Sequence, residues 1–307
     1  PIFHPSPRPH IKIVHLTSVP PFVDHFGSVL FAHRAFAKQA LSNPKVYQIS
    51  LPTHLTNLWG IDIGLIFGIQ NVPADMTKFQ TRQLSLEGIQ VVALTYENSN
   101  SYGSGFRSEG GLTTSGMRLV EWLCASGIIL DLAGANHQTA RETLEFIQHQ
   151  HLPACVMASH AGCHAVYPHP RNLPDDVLRA IREVNGYIGI PAVSHLLCEE
   201  GASPLTALAQ HVKHASRMCG GYSVGIGSGC IHLDMSMNEA RALYLTKKIE
   251  TEGPFWEYFP DRPVEIIEHG NTMFEILEKE LLTVCHARAV RGFCGENFKE
   301  FLFRSLR

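Results

Sequence analysis

Residues 155–178, CVMASHAGCHAVYPHPRNLPDDVL, contain one complete structural unit of the chain. Residues 154–158 form a short apolar run, the pattern of a strand buried on both faces. The run ends at Ser159 and His160, which puts a polar pair at the strand's C-terminal tip. A loop rich in His, Cys and Pro follows. Pro174 suits the first position of a helix, because its φ is preset and it has no N–H to leave unsatisfied. Asp175 and Asp176 suit the positive end of that helix's dipole. Strand, polar loop, helix is the repeating unit of parallel α/β proteins, whose sites gather at the C-terminal ends of the strands.

The same alternation extends in both directions. Apolar runs at 11–16, 46–51, 61–69, 90–95, 127–132, 186–193 and 222–228 read as seven further strands. Amphipathic stretches at 30–41, 115–125, 138–149, 175–183 and 204–219 read as helices between them. Eight strands alternating with helices predict a (β/α)8 TIM barrel, an α/β fold. Residues 1–10, PIFHPSPRPH, read as a Pro-rich N-terminal arm. Residues 11–307 read as a single barrel domain, with an irregular stretch at 251–262 and closing helices near 273–280 and 297–305.

Composition narrows the function. The chain has 307 residues, 45% of them hydrophobic, and a net charge of −3, so charge implies no nucleic-acid partner. No run of about 18 apolar residues is present, so no membrane span is expected. Eight cysteines without paired spacing predict reduced thiols and a cytoplasmic protein.

The stretch from Ser159, with HPRNLPDDVLRAI at its end, resembles the signature region of the membrane dipeptidase family (renal-dipeptidase-like, peptidase family M19). Four more segments are similar to family motifs, in the same order. They are LTYENSNSYG at 94–103, GLTTSGMRLVEWLCASGIILDL at 111–132, VGIGSG at 224–229 and GENFKEFL at 295–302. The resemblance implies a metal-dependent-hydrolase-like barrel that forms homodimers. It also implies two zinc ions, held by an HxD on strand one, a bridging Glu after strand three, a His after strand five, a His after strand six and an Asp after strand eight. Such a pair activates a bridging water and polarises the scissile carbonyl.

Against that pattern the chain departs at most ligand positions. The HxD pair aligns with Leu16 and Ser18, the bridging Glu with Gln70, the third ligand with Gly134 and the last carboxylate with Gly229. Of the metal set only His160 remains. Tyr96 replaces the family's loop His, and Arg171 falls where the family holds the substrate's carboxylate. The resemblance therefore predicts a barrel without its dizinc centre and without dipeptide hydrolysis. No cofactor is expected, and a residual pocket with Arg171 and Tyr96 would take a small peptide-like or carboxylate-bearing ligand.

An active hydrolase with a rebuilt mononuclear zinc site is the alternative, drawing on His137, Cys163, His164, Cys230, His232 and Asp234. Each residue also has a plainer reading. His160 is either a ligand remnant or a hydrogen-bonded residue at the barrel mouth. Arg171 either grips a carboxylate or forms an ion pair with Asp175 or Asp176. Cys163 is either a nucleophile beside His160 or His164 or a packed thiol. The GxGxG at 225–229 lacks the third Gly and distal acid of a dinucleotide site. Asp131 and Glu97 read as hydrogen-bond partners at the mouth rather than general bases.

Overall fold

In chain order the strands are β1 (Lys12–Val19), β2 (Val46–Gln48), β3 (Ile63–Gln70), β4 (Ile89–Ala93), β5 (Ile129–Asp131), β6 (Val156–Ala158), β7 (Tyr187–Pro191) and β8 (Val224–Gly227). They come from a computed structural model that describes residues 12–19, 26–44, 46–56, 63–199, 201–227 and 271–306. Each falls on a run expected from the sequence, and every pairing is parallel. Seven of them follow one path, β1-β3-β4-β5-β6-β7-β8, in a curled half-barrel, with helices between strands. The predicted α/β barrel architecture is thus the observed one. The Pro-rich arm, the stretch 251–262, Gly229, Cys230, His232 and Asp234 lie outside the described residues.

The strand order differs from the expected one at the start. β2 is only three residues long and pairs with Ile63–Leu65, while β4 pairs with β3 from Phe67 to Gln70, so these two share one edge of β3. β1 runs along the whole opposite edge, from Lys12 beside Ile63 to Val19 beside Ile69. In a (β/α)8 barrel spatial order follows chain order. A strand lying directly against β3 therefore holds the place of a second stave.

Alternate strand residues face two cores, as strand geometry requires. Ile66, Val91, Ile129, Met157 and Tyr187 point to the inside of the curl. There they meet Phe301 and Leu302 of the C-terminal helix Asn297–Ser305, with the rings of Tyr187 and Phe301 stacked at 5.5 Å. Their sequence neighbours Val92, Leu130, Val156 and Ile188 face the outer helices. The C-terminal helix ends near the loops that precede β4 and β5, since Leu306 shares a cavity wall with Gly88 and Gly127. It plugs the N-terminal end of the curl and leaves the opposite end as the mouth.

Helix starts follow local chemistry. Thr77 and Gln80 form a reciprocal capping box before the helix Lys78–Leu86. Thr113, Asn136 and Ser203 cap the helices Thr114–Ala125, His137–His149 and Pro204–Cys219. Pro174 stands one residue earlier than expected, as the residue before the helix Asp175–Glu183. Pattern reading missed the helices Pro52–Thr56, Lys78–Leu86, Ser194–Leu197 and Ala287–Arg291.

Candidate functional site

Parallel strands deliver their C-terminal tips to one side, and the candidate residues gather there. Asp131 ends β5, Ser159 and His160 follow β6, and Tyr96 and Phe106 belong to the connection between β4 and the helix Thr114–Ala125. Arg171 comes from the loop between β6 and the helix Asp175–Glu183. The structure brings the three residues named from the sequence, His160, Arg171 and Tyr96, into one cluster. Arg171 Nη2 lies 2.6 Å from His160 Nε2. Its guanidinium carbon stands 5.2 Å from the centre of the Phe106 ring and 5.8 Å from that of Tyr96. The two rings meet edge to face at 6.3 Å and form an aromatic platform under the cation.

Behind His160 the hydrogen bonds continue inward. His160 Nδ1 is 2.7 Å from Ser159 Oγ, and Ser159 Oγ is 2.5 Å from Asp131 Oδ2. Asp131 Oδ1 accepts from the backbone N–H groups of Ser159 and Ala133, both at 2.9 Å. Burial pushes the Asp131 carboxyl upward, while these bonds and the charge of Arg171 oppose that shift. Asp131 is the hydrogen-bond partner the sequence suggested.

The loop carrying Arg171 is pinned by its neighbour. Asn172 has no exposed surface. Its Nδ2 donates to the carbonyls of Tyr167 at 2.9 Å and Leu196 at 2.7 Å, and its Oδ1 accepts from Gly162 N at 3.0 Å. The ion-pair reading of Arg171 fails, because Asp176 binds Arg141 and Asp175 binds His214. Instead, Arg171 Nε is buried with no hydrogen-bond partner among the described residues.

Further basic groups border the cluster. His169 and His195 lie 6.1 Å apart between ring centres. Burial first, then neighbouring positive charge that includes Arg171, lowers both to about 4. Arg107 stands 5.8 Å from the Phe106 ring on its own account. Sequence reading named none of Phe106, Arg107, His169 and His195. The one signal was position, since His195 follows β7 and His169 lies in the His-rich loop. Glu97 is buried beside this region.

Other residues singled out from the sequence resolve differently. Cys163 is fully buried, its thiol directed at the carbonyl of His211 at 3.4 Å, and burial raises it far above an ordinary thiol. It is a packed thiol, not a nucleophile beside His160 or His164. The rings of His137 and His164 do meet, at 5.0 Å, but His137 Nε2 is committed to the Asn172 carbonyl at 2.8 Å. Gly225 and Gly227 leave room for the Tyr187 hydroxyl and the Ser159 carbonyl, so the glycine run serves packing.

Among the described residues the donor set falls short of the zinc pair that the resemblance implies. Gln70 offers a neutral amide. Gly134 has no side chain and sits at φ +93°, a conformation L side chains rarely adopt. Both nitrogens of His160 are already engaged. Among the described residues no group of three His, Cys, Asp or Glu side chains is placed to hold a metal. These residues do not fit the group.

The family model for membrane dipeptidase (peptidase family M19) matches residues 53–248. Dipeptidase verJ of Clonostachys rogersoniana is 30% identical over 193 residues, which is 62% of this chain and 46% of verJ. The chain thus spans about half the length of the curated relatives it matches. An amidohydrolase from Pseudomonas aeruginosa superposes with a TM-score of 0.74 at 19% identity, covering 96% of this chain and 87% of that one. A metallo peptidase from Rhodobacter sphaeroides, liganded with a phosphinate mimic of L-Ala-D-Ala, gives 0.70 at 18% identity, covering 95% and 85%. At these identities the superpositions show the shared fold.

Proposed function

The chain belongs to the membrane dipeptidase family, peptidase family M19, and from that premise we propose that it binds a small carboxylate-bearing, peptide-like ligand at its mouth without a dizinc centre. The observation that carries this reading is the state of Arg171. Its guanidinium lies on two aromatic rings, has a buried Nε–H without a partner among the described residues, and is clear of the acids that follow it in sequence. A planar cation held on a rigid platform suits bidentate pairing with a carboxylate. Gln70 and Gly134 support the loss of the metals, because neither supplies the negative or imidazole donor that two zinc ions need. The seven described cysteines are thiols rather than disulfides, which supports a cytoplasmic location. No helix among the described residues is long and apolar enough to cross a membrane. The homodimer is carried over from the family resemblance.

A second reading keeps hydrolysis through one rebuilt zinc, and the contact of the His137 and His164 rings favours it. Metal analysis of protein purified without chelator, run beside a dipeptide hydrolysis assay and calorimetric titration with L-Ala-L-Ala, separates the two. Binding without stoichiometric zinc and without turnover supports the first reading. Stoichiometric zinc together with turnover overturns it.

A further inference from the structure

We propose that His160 is fixed as the neutral Nδ1–H imidazole and presents Nε2 as a hydrogen-bond acceptor to a donor on the ligand, next to the carboxylate that Arg171 holds. The ligand half rests on the carboxylate-binding reading above, and the tautomer half rests on hydrogen-bond logic alone.

A guanidinium has five N–H donors and no acceptor. At 2.6 Å Arg171 Nη2 therefore donates and His160 Nε2 accepts. A neutral imidazole that accepts at Nε2 carries its proton on Nδ1. That N–H donates to Ser159 Oγ at 2.7 Å. The single hydroxyl proton of Ser159 then goes to Asp131 Oδ2 at 2.5 Å. Asp131 accepts at both oxygens, with two backbone N–H groups on Oδ1, so it is a carboxylate. The chain of bonds runs one way, from Arg171 to Asp131. Reversing it would set an N–H of His160 against an N–H of Arg171.

When an anion draws the guanidinium into a bidentate pair, the Nε2 lone pair turns to the ligand. The matching chemistry is a carboxylate with a donor on its own α-carbon. An α-hydroxy acid, an α-amino acid and the C-terminal residue of a peptide, with its amide N–H, all meet it. A plain carboxylic acid satisfies Arg171 and leaves His160 unmatched.

The test pairs two acids of three carbons, L-lactate and propionate, titrated calorimetrically into the full chain. A spectrum of 15N-histidine-labelled protein reads the tautomer, with His160 identified by its loss in His160→Gln. The wild type is expected to show Nε2 without a proton and to prefer lactate about fivefold, the worth of one ordinary hydrogen bond. In Asp131→Asn the amide donates to Ser159, which then donates to Nδ1 and moves the proton to Nε2. That variant should lose the lactate preference, read as the ratio of the two affinities, so that a change in anion affinity common to both acids cancels. If Asp131→Asn does not fold, Ser159→Ala breaks the same link and should give a mixed tautomer. A protonated Nε2 in the wild type, or equal affinity for the two acids, overturns the proposal. If neither acid binds while Nε2 is unprotonated, the carboxylate reading falls and takes the ligand half of the proposal with it.

Discussion

A histidine with no exposed surface makes stability depend on acidity. His211 is fully buried in the helix Pro204–Cys219, where Nδ1 accepts from Cys163 N at 2.8 Å and Nε2 donates to the Leu197 carbonyl at 3.0 Å. Burial, and to a lesser degree His214, lowers it to about 4 from an ordinary 6.5. Above pH 6.5 the ring is neutral in both folded and unfolded chains, so the contribution is complete. As pH falls from 6.5 towards 4 the unfolded chain takes up a proton that the folded chain refuses, and stability drops by about 3 kcal/mol. Urea unfolding at pH 7 and pH 4.5 should show this loss, and His211→Gln should reduce the difference by His211's share, with that of His169 and His195 remaining. Cys163, against the same side chain, should resist maleimide in native protein and label only on unfolding. Labelling as fast as at the half-buried Cys198 would contradict its packing. At this scale the sequence disclosed Arg171, Tyr96 and His160 through family motifs. It could not disclose Asp131 as their support, because the Asp131–Ser159 contact spans 28 residues and exists only through the parallel register of Asp131 beside Met157.

Elements carry the site through a few tight contacts. Asn172 folds the β6 loop on itself with two side-chain hydrogen bonds, to Gly162 and Tyr167, and ties it to the segment after β7 with a third, to Leu196. Asn172→Ala leaves one buried N–H and two carbonyls unsatisfied and should cost about 3 kcal/mol, while loosening Arg171. Asn172→Asp retains the acceptor but sets an oxygen against two carbonyls, so it should rescue little. Thermal melts of both variants, beside propionate binding, check this. Gly227 is equally constrained: an added Cβ would overlap the Ser159 carbonyl, with the Gly189 backbone also close. Gly227→Ala should therefore destabilise by about 3 kcal/mol and displace the tip of β6. Expression as stable folded protein with unchanged melting temperature would count against the close strand approach. Strands and long helices were legible because their apolar periods are sustained. Pro52–Thr56 and Ser194–Leu197 were not, since five and four residues hold barely one period. The helix Lys78–Leu86 exposes Phe79 and Leu86 to solvent, which blurs its pattern.

For the molecule as a whole, the least legible feature was the order of strands. Hydrophobic runs reveal that strands exist and are buried, but two edges of one strand look alike in sequence. The exchange of neighbours at β3 thus appears only in the structure. It has a measurable consequence. A parallel strand directs alternate residues' N–H groups to opposite sides. Among the described residues β1 pairs with β3 alone, whereas β5 pairs with both β4 and β6. Hydrogen exchange resolved to single amides should protect every second residue of Lys12–Thr17, before the register shift at Ser18, and leave the others fast, with Ile129–Asp131 protected throughout. An edge of eight residues without a partner among the described residues would also be open to pairing with another strand. Uniform protection along β1 would mean that a further strand covers the edge, closing the curl between β1 and β8. The mouth would then gain a wall that the described residues do not supply, and Arg171 and His160 would face a narrower ligand than a free C-terminal residue.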